Sequence, residues 1–270
     1  VIQKWSFTSD ANATDVGDLT QTTEGCAGTA SATHGYISGG RNPSNTVLDV
    51  IQKTPFATDS NSTDVGDMTN DRSFIGGNIS TSHGYNTGGN NYENVIDKFP
   101  FATDSNSTDV GDLTVSRNSV SSTTSSTHGY TVGGFNGQHR NFIDKFSLSS
   151  DGNASDVGDD IFGASGSAGG QSETHGYVMG GSDPFPTNEI RKISFASDGN
   201  ASDIADITVS RESVSPNAPS STTHAYCAGG NPQSGNTYNI IDKTPFASDS
   251  NATDVGDLVT GVARGAGFQA

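Results

Sequence analysis

The chain has 270 residues, and its 30 acidic side chains outnumber 13 lysines and arginines, which gives a formal net charge of −17. This charge repels phosphate backbones and anionic lipids, so we expect no nucleic-acid partner. No apolar run reaches the length of about 18 residues that a membrane-spanning helix needs, so we expect no membrane insertion. Only 30% of the residues are hydrophobic, and a stable fold therefore requires that they be placed regularly.

The sequence repeats itself every 45 to 51 residues. The motif Asp-x-Asn-x-Ser/Thr-Asp begins at Asp10, Asp59, Asp104, Asp151, Asp198 and Asp249. The motif Ile-x-Lys begins at Ile2, Ile51, Ile96, Ile143, Ile190 and Ile241. The motif His-Gly-Tyr-x-x-Gly-Gly begins at His34, His83, His128 and His175, and a variant of it begins at His224. All three motifs stay in phase, so one structural unit is repeated along the chain.

Each repeat contains four short β-type runs bounded by Gly, Asn, Asp and Ser, without helical periodicity. In one repeat these runs cover residues 115–122, 128–132, 141–146 and 156–161, and we number them first to fourth. Four strands per repeat predict an all-β fold, a β-propeller in which each repeat forms one blade. Cys26 and Cys227 lie in such strand-like runs, and we expect both to be small buried side chains rather than a disulfide framework.

The repeat resembles the kelch repeat of β-propellers. The resemblance rests on the Gly-Gly pair that closes the second strand, on the aromatic residue shortly before it, and on Arg117 and Arg211 after fourth strands. The Trp that the family has at the start of the fourth strand is replaced here by Asp, as at Asp109. The Thr-His-Gly-Tyr-x-x-Gly-Gly sequence is more similar to repeat proteins of marine bacteriophages and cyanobacteria. That resemblance implies a virion appendage protein, such as a tail fibre or adhesin.

Strand counting predicts six blades in one domain. Complete blades are expected at about residues 21–69, 70–114, 115–161, 162–208 and 209–260. The sixth blade would be closed by both termini, from residues 1–20 and 261–270, and no second strand is left for it in the sequence. The alternative is five blades with loose ends.

The repeated histidines and lysines are interpreted as structural. A catalytic site needs different groups in one place, whereas each repeat carries its His, such as His83, at the same position. We therefore expect each His to form a structural hydrogen bond near the turn between the first and second strands. All six lysines also share one repeat position, and we expect each ammonium group to pair with a repeat Asp while its stem packs between blades.

The Asp-x-Asn motif allows two interpretations. Asp59, Asn61, Thr63 and Asp64 could supply the oxygen ligands that calcium prefers, although the glycine and the distant glutamate of an EF-hand are lacking. The motif also lies between the third and fourth strands, where Asp and Asn stabilise hairpin turns, and it resembles the structural Asp-box turn of sialidase-type propellers. We predict six equivalent turns without a cofactor, with calcium as the alternative.

Binding is predicted on one face of the disc. Because strands alternate in direction, the loops from second to third and from fourth to first strands share one face, which we call the variable face; the other is the turn face. The second-to-third loops (residues 41–48, 90–94, 135–141, 182–189 and 231–239) differ in every repeat, as a site for an asymmetric ligand requires. The candidate ligand-binding residues are Arg41, Asn91, Tyr92, Phe135, Arg140, Phe185 and Tyr238.

These loops favour a binding function over an enzymatic one. No nucleophile motif, paired glutamates or phosphate loop occurs in the sequence, so we predict that the protein is not an enzyme. Aromatic rings against sugar C–H groups and amides against hydroxyls suit a glycan, and a protein epitope would use the same residues. We predict an extracellular or virion module that recognises a host-surface glycan or protein. The alternative is a structural virion protein that contacts only other virion proteins.

Overall fold

A computed structural model describes residues 1–233 and 236–269, and they contain 21 β-strands and one short 3-10 helix, Asn90–Tyr92. Within these residues, no helix has the length and apolar character needed to cross a membrane. All strand pairs are antiparallel, and consecutive strands are neighbours within each sheet. The chain is therefore an all-β propeller built from four-stranded blades.

Four blades are complete, each with four strands in chain order from the axis outward. Blade 1 contains β3 (Ala27–Ala30), β4 (His34–Ser38), β5 (Val50–Pro55) and β6 (Thr63–Asp67). Blade 2 contains β7 (Gly76–Ile79), β8 (His83–Gly89), β9 (Glu93–Pro100) and β10 (Thr108–Asp112). Blade 3 contains β11 (Ser121–Thr124), β12 (His128–Val132), β13 (Phe142–Ser147) and β14 (Ser155–Asp159). Blade 4 contains β15 (Ala168–Gln171), β16 (His175–Met179), β17 (Glu189–Ser194) and β18 (Ser202–Asp206).

Blade 5 has a reduced inner strand. Its sheet contains β19 (His224–Ala228), β20 (Ile240–Pro245) and β21 (Thr253–Asp257). At the inner edge, Ser220 and Ala225 form an isolated bridge, and the Tyr226 N–H donates to the Pro219 carbonyl at 2.9 Å. Pro216 and Pro219 have no N–H to donate to a ladder, which explains why a full inner strand does not form.

The prediction of six blades was wrong, because the structure has five blades, as in the alternative. The remaining sheet is a hairpin of β1 (Ile2–Lys4) and β2 (Thr14–Gly17) with only two strands. Residues 261–269 form no strand. Ala270, which belonged to the predicted sixth blade, lies outside the described residues. This segment contains Gly261, Gly265 and Gly267, and glycine disfavours regular strands.

The hairpin nevertheless lies between blade 5 and blade 1. The Ala13 N–H donates to the Asp257 carbonyl at 2.8 Å, and the Ser62 N–H donates to the Asp18 carbonyl at 2.9 Å. Lysine–aspartate pairs follow the same circle, which confirms the predicted pairing of each repeat Lys with a repeat Asp. The structure adds that this Asp belongs to the next unit. The pairs are Lys53–Asp104, Lys98–Asp151, Lys145–Asp198, Lys192–Asp249, Lys243–Asp10 and Lys4–Asp59.

The core lies between neighbouring blades. The repeat isoleucine of the third strand is completely buried in all five blades, at Ile51, Ile96, Ile143, Ile190 and Ile241. The repeat tyrosine packs against a phenylalanine that lies in or shortly after the next unit's third strand. Ring centroids are 4.9 Å apart for Tyr177 and Phe246, and 4.7 Å apart for Tyr226 and Phe7 of the hairpin. Stacking of this kind holds one blade on the next.

Candidate ligand-binding site

The linkers from each fourth strand to the next first strand meet at the axis, on the variable face. One residue in each linker has a left-handed backbone conformation, with φ between 53° and 67°. These residues are Gly25, Phe74, Ser119, Gly166, Ser213 and Arg264. Four of the six are not glycine, and each such conformation costs of order 1–3 kcal/mol. The position is therefore held by its surroundings, and such outliers are common at functional sites.

A closed ring of backbone hydrogen bonds holds these linkers together, and we call it the axial ring. The Ser119 N–H donates to the Phe74 carbonyl at 2.8 Å, and the Gly166 N–H donates to the Ser119 carbonyl at 2.9 Å. The Gly25 N–H closes the ring by donating to the Arg264 carbonyl at 2.7 Å. Residues 239 positions apart in the chain are thereby joined, which fixes the geometry of the site.

A cavity of about 420 Å³ opens over the axial ring. This volume lies in the range of small-molecule sites. Its wall combines the linkers with the second-to-third loops of blades 3 and 4, so the cavity belongs to the variable face. The polar groups include Asn118, Ser119, His139, Ser165, Ser182, Glu212, Ser213 and Arg264, and the aromatic groups are Phe74 and Phe135.

One side of the cavity is an arginine–phenylalanine cluster. The guanidinium carbons of Arg41 and Arg264 lie 4.8 and 5.4 Å from the Phe74 ring centroid. Glu24 accepts a hydrogen bond from Arg41 Nε at 2.7 Å and also lies 3.5 Å from Arg264 Nη1. Cation–π contacts and the shared carboxylate orient both guanidinium groups. Arginine is scarce in this acidic chain, and two of its seven copies meet here.

The opposite side is aromatic and hydroxyl-rich. The rings of Phe135 and His139 meet edge to face with centroids 5.2 Å apart, and Tyr92 lies 6.4 Å from Phe135. The Ser165 hydroxyl lies 3.3 Å from His139 Nδ1. These groups present ring faces and hydrogen-bonding atoms to the same space, which is the combination that binds polar organic ligands.

The structure brings only some of the predicted ligand-binding residues to this cavity. Phe135 lines it, Tyr92 contacts Phe135, and Arg41 contacts Phe74. Phe185 is 64% exposed and stands beside the lining residue Pro184.

The other three candidates do not line the cavity. Arg140 donates to Asn136 within its own loop at 2.6 Å. Asn91 is exposed in the short helix after blade 2's second strand, and the Tyr238 N–H donates to the Gly230 carbonyl at 2.8 Å. Ser234 and Gly235 of that last loop lie outside the described residues.

The linker residues were missed by reasoning from the sequence. Phe74, Ser119, Ser213 and Arg264 occupy one repeat position that also holds Gly25 and Gly166. Glycine at two of six copies was a signal that this position needs a left-handed conformation. A phenylalanine and an arginine at such a position were a second signal, since neither adopts that conformation readily.

The six Asp-x-Asn motifs form equivalent turns on the turn face. Each asparagine reaches the preceding unit: the Asn61 amide oxygen accepts from the Asp18 N–H at 2.9 Å, and Asn106 accepts from Asp67 at 3.1 Å. The same bond recurs at Asn12, Asn153, Asn200 and Asn251. The prediction of turns held by side-chain to backbone hydrogen bonds is therefore confirmed. Each of these asparagine hydrogen bonds also joins two neighbouring units.

The calcium alternative stays a prediction. Asp59 pairs with Lys4, Asn61 accepts a backbone N–H, and Asp64 accepts the Gly66 N–H at 3.2 Å. In the described part of the chain, no group of three or more His, Cys, Asp or Glu side chains has the arrangement of a metal site. Any calcium bound here would compete with these contacts.

The predicted hydrogen bonds of the repeat histidines are confirmed. In all five turns, the hydroxyl of the preceding Ser or Thr lies 2.8 Å from His Nδ1. Burial lowers the pKa of His83, and the nearby Lys98 ammonium lowers it further. Both cysteines are free and buried as predicted, and burial raises the pKa of the Cys26 thiol to about 12. Such a thiol is a packing group rather than a nucleophile.

No protein-family model matches the chain, and no curated protein shows significant sequence similarity to it.

Proposed function

We propose that this protein is a non-enzymatic, kelch-like propeller that binds a glycan in the axial cavity, on the exterior of a virion or cell. The observation that carries the proposal is the composition of the cavity wall. Phe135 offers an aromatic ring for sugar C–H groups, and Asn118, Ser119 and Ser213 offer partners for hydroxyls. The volume of about 420 Å³ suits one or two sugar rings rather than a flat protein surface.

The charge distribution supports a neutral glycan. The chain as a whole carries a net charge of −17, which repels anions at long range. At the cavity, Arg41 and Arg264 converge beside Phe74, with the Glu24 carboxylate between them and the Glu212 carboxylate in the cavity wall. The two carboxylates balance the two guanidinium groups, so the site offers hydrogen-bonding groups without a net charge, which suits a neutral sugar.

The test is a glycan array on the purified chain, followed by calorimetry with the sugars that bind. Phe135→Ala removes an aromatic face of the cavity, and we expect it to weaken binding by about 1 kcal/mol or more. Phe185→Ala tests the rim, where an exposed aromatic ring outside the cavity could add contact area. His83→Gln on the turn face is the matched control and should leave glycan affinity unchanged.

Two results would contradict this function. One is a chain that binds no sugar on the array and no host-cell surface, which would favour the structural virion protein. The other is binding that survives Phe135→Ala but is lost in the folded His83→Gln variant, which would move the site to the turn face.

A further inference from the structure

The hairpin of β1 and β2 lacks the neighbour that every blade has at the same place. In each of the five blades, the second strand lies between the third strand and the inner edge. In the hairpin unit, β1 occupies the third-strand position and β2 the fourth. Residues 264–269 occupy the inner position of this unit. Gly267 lies against Gly28 of blade 1 in the same way that Gly28 lies against Gly77 of blade 2. The second-strand position between them contains no strand of the described chain, and we call it the gap.

Two apolar cavities mark the gap. One, of about 270 Å³, lies between Ile2, Gln3 and Trp5 on one side and residues 265–268 on the other. The second, of about 240 Å³, continues toward the turn face beside Trp5, Phe7 and Phe56. Together they follow the course of a second strand, which runs from the turn face to the variable face.

Burial of the equivalent residues shows that the gap is a defect in an otherwise regular core. The repeat isoleucine is fully buried in all five blades, whereas Ile2 is only half-buried. The residue three positions after this isoleucine is buried in every blade, whereas its equivalent in the hairpin, Trp5, is half-buried. The Trp5 Nε1 atom is itself enclosed and has no hydrogen-bond partner. A buried donor without a partner is costly and indicates a missing acceptor.

We propose that the gap is a docking site for one extended peptide strand of the type Thr-His-Gly-Tyr-x-x-Gly-Gly. An added strand would pair with the open edge of β1, as in β-augmentation. The five filled positions in the same molecule define its sequence and its register. In blade 5, Tyr226 lies opposite Lys243 and Ala228 lies opposite Ile241. The docked tyrosine therefore lies opposite Lys4, which is the equivalent of Lys243.

Two contacts make the docking selective. The docked glycine lies opposite Trp5, just as Gly129 lies opposite Phe146 in blade 3. A Cβ atom added to Gly129 would be only 2.4 Å from the Phe146 ring, so this position requires a very small residue. The docked tyrosine reaches Phe56, because every other repeat tyrosine packs against the next unit's third strand. Phe56 now contacts Phe268 at a centroid distance of 5.9 Å. The tyrosine takes over that contact when the strand binds.

The experiment uses the purified chain and a synthetic peptide with the sequence of residues 126–134, Ser-Thr-His-Gly-Tyr-Thr-Val-Gly-Gly. A fluorescent label on the peptide reports binding by anisotropy. Trp5 is the only tryptophan and adjoins the gap, so its emission should shift as the peptide saturates the site. The melting temperature should rise with peptide concentration, because the ligand binds only the folded chain.

The matched control is the same peptide with Gly129→Val, whose side chain would overlap Trp5. We expect it to bind about ten-fold more weakly or worse, which corresponds to the lower part of the usual overpacking cost. A Trp5→Ala chain should recover binding of this control peptide, because the smaller side chain leaves room for the valine.

Three results would overturn the proposal. They are an absence of saturable binding, equal binding of the Gly129→Val and parent peptides, and concentration-dependent dimerisation of the chain without peptide binding. The last would show that a second copy covers the gap.

Discussion

At the scale of single residues, four units contain a buried arginine–carboxylate pair that joins a linker to a third strand. In blades 2, 3 and 5 the arginine is on the linker, as in Arg117 with Asp144 and Arg211 with Asp242. In the remaining pair the charges are exchanged: Asp160 lies on the linker and Arg191 on the third strand of blade 4. The exchange keeps the pair neutral, which shows that the interior requires charge balance rather than a particular residue.

Asp144→Ala should therefore strongly destabilise the protein. The Asp144 carboxylate accepts hydrogen bonds from Arg117 Nη1 and from the Thr114 N–H, both at 2.9 Å. The Asp144 and Arg117 side chains are both fully buried. Its loss leaves the Arg117 guanidinium charged and unpaired in the interior, and we expect the free energy of unfolding to fall by about 3–5 kcal/mol. Urea denaturation measures the change, with the exposed Asp71→Ala as control. A loss below about 1 kcal/mol would show that water reaches Arg117.

At the scale of strands, the second strand was predicted best and the first strand worst. Residues 128–132 were predicted and observed as β12. The first strand of the same repeat was predicted at residues 115–122, but β11 begins only at Ser121. The preceding residues form the linker, with Arg117 buried and Ser119 in a left-handed conformation. An apolar and hydroxyl-rich run is compatible with either structure, and only the axial ring decides between them.

Each second strand begins with a repeat histidine, so the strand starts should be sensitive to acid. Burial is the main cause that lowers the pKa values of His34, His83, His128, His175 and His224. The unfolded chain then binds more protons than the folded chain just below the ordinary value of 6.5. The stability contribution is complete above pH 6.5 and is lost as the pH falls through the lowered values.

We accordingly expect the melting temperature to decrease between pH 7 and pH 5, and a His83→Gln/His128→Gln variant to show a shallower decrease. Differential scanning calorimetry across this range measures both slopes. Parallel slopes for the variant and the parent chain would assign the acid sensitivity to other groups.

At the scale of the whole molecule, both termini close one ring. The hairpin fills the space between blades 5 and 1, and residues 264–269 complete the axial ring beside Gly28. Neither terminal segment forms a blade. The circle of lysine–aspartate pairs and the six asparagine contacts are nevertheless continuous through the hairpin.

Removal of residues 264–270 should open this ring. The truncation removes the hydrogen bonds of Arg264 with Gly25 and Ser213 and the packing of Phe268 on Phe56. Two hydrogen bonds and a partly buried phenylalanine correspond to about 2 kcal/mol or more of unfolding free energy. Thermal melting compares this variant with a chain that lacks only residues 269–270. Equal melting temperatures would show that the axial ring does not need its sixth member.

The repeat pattern by itself determined the propeller class, the pairing of lysines with aspartates and the turn geometry of the Asp-x-Asn motifs. These features depend on contacts that recur identically between neighbouring units, so one repeat contains the information for all of them. The tertiary structure decided the number of blades, the axial cavity and the gap beside β1. Each of these depends on where two termini meet and on residues such as Gly25 and Arg264, which are far apart in sequence and become neighbours only when the ring closes.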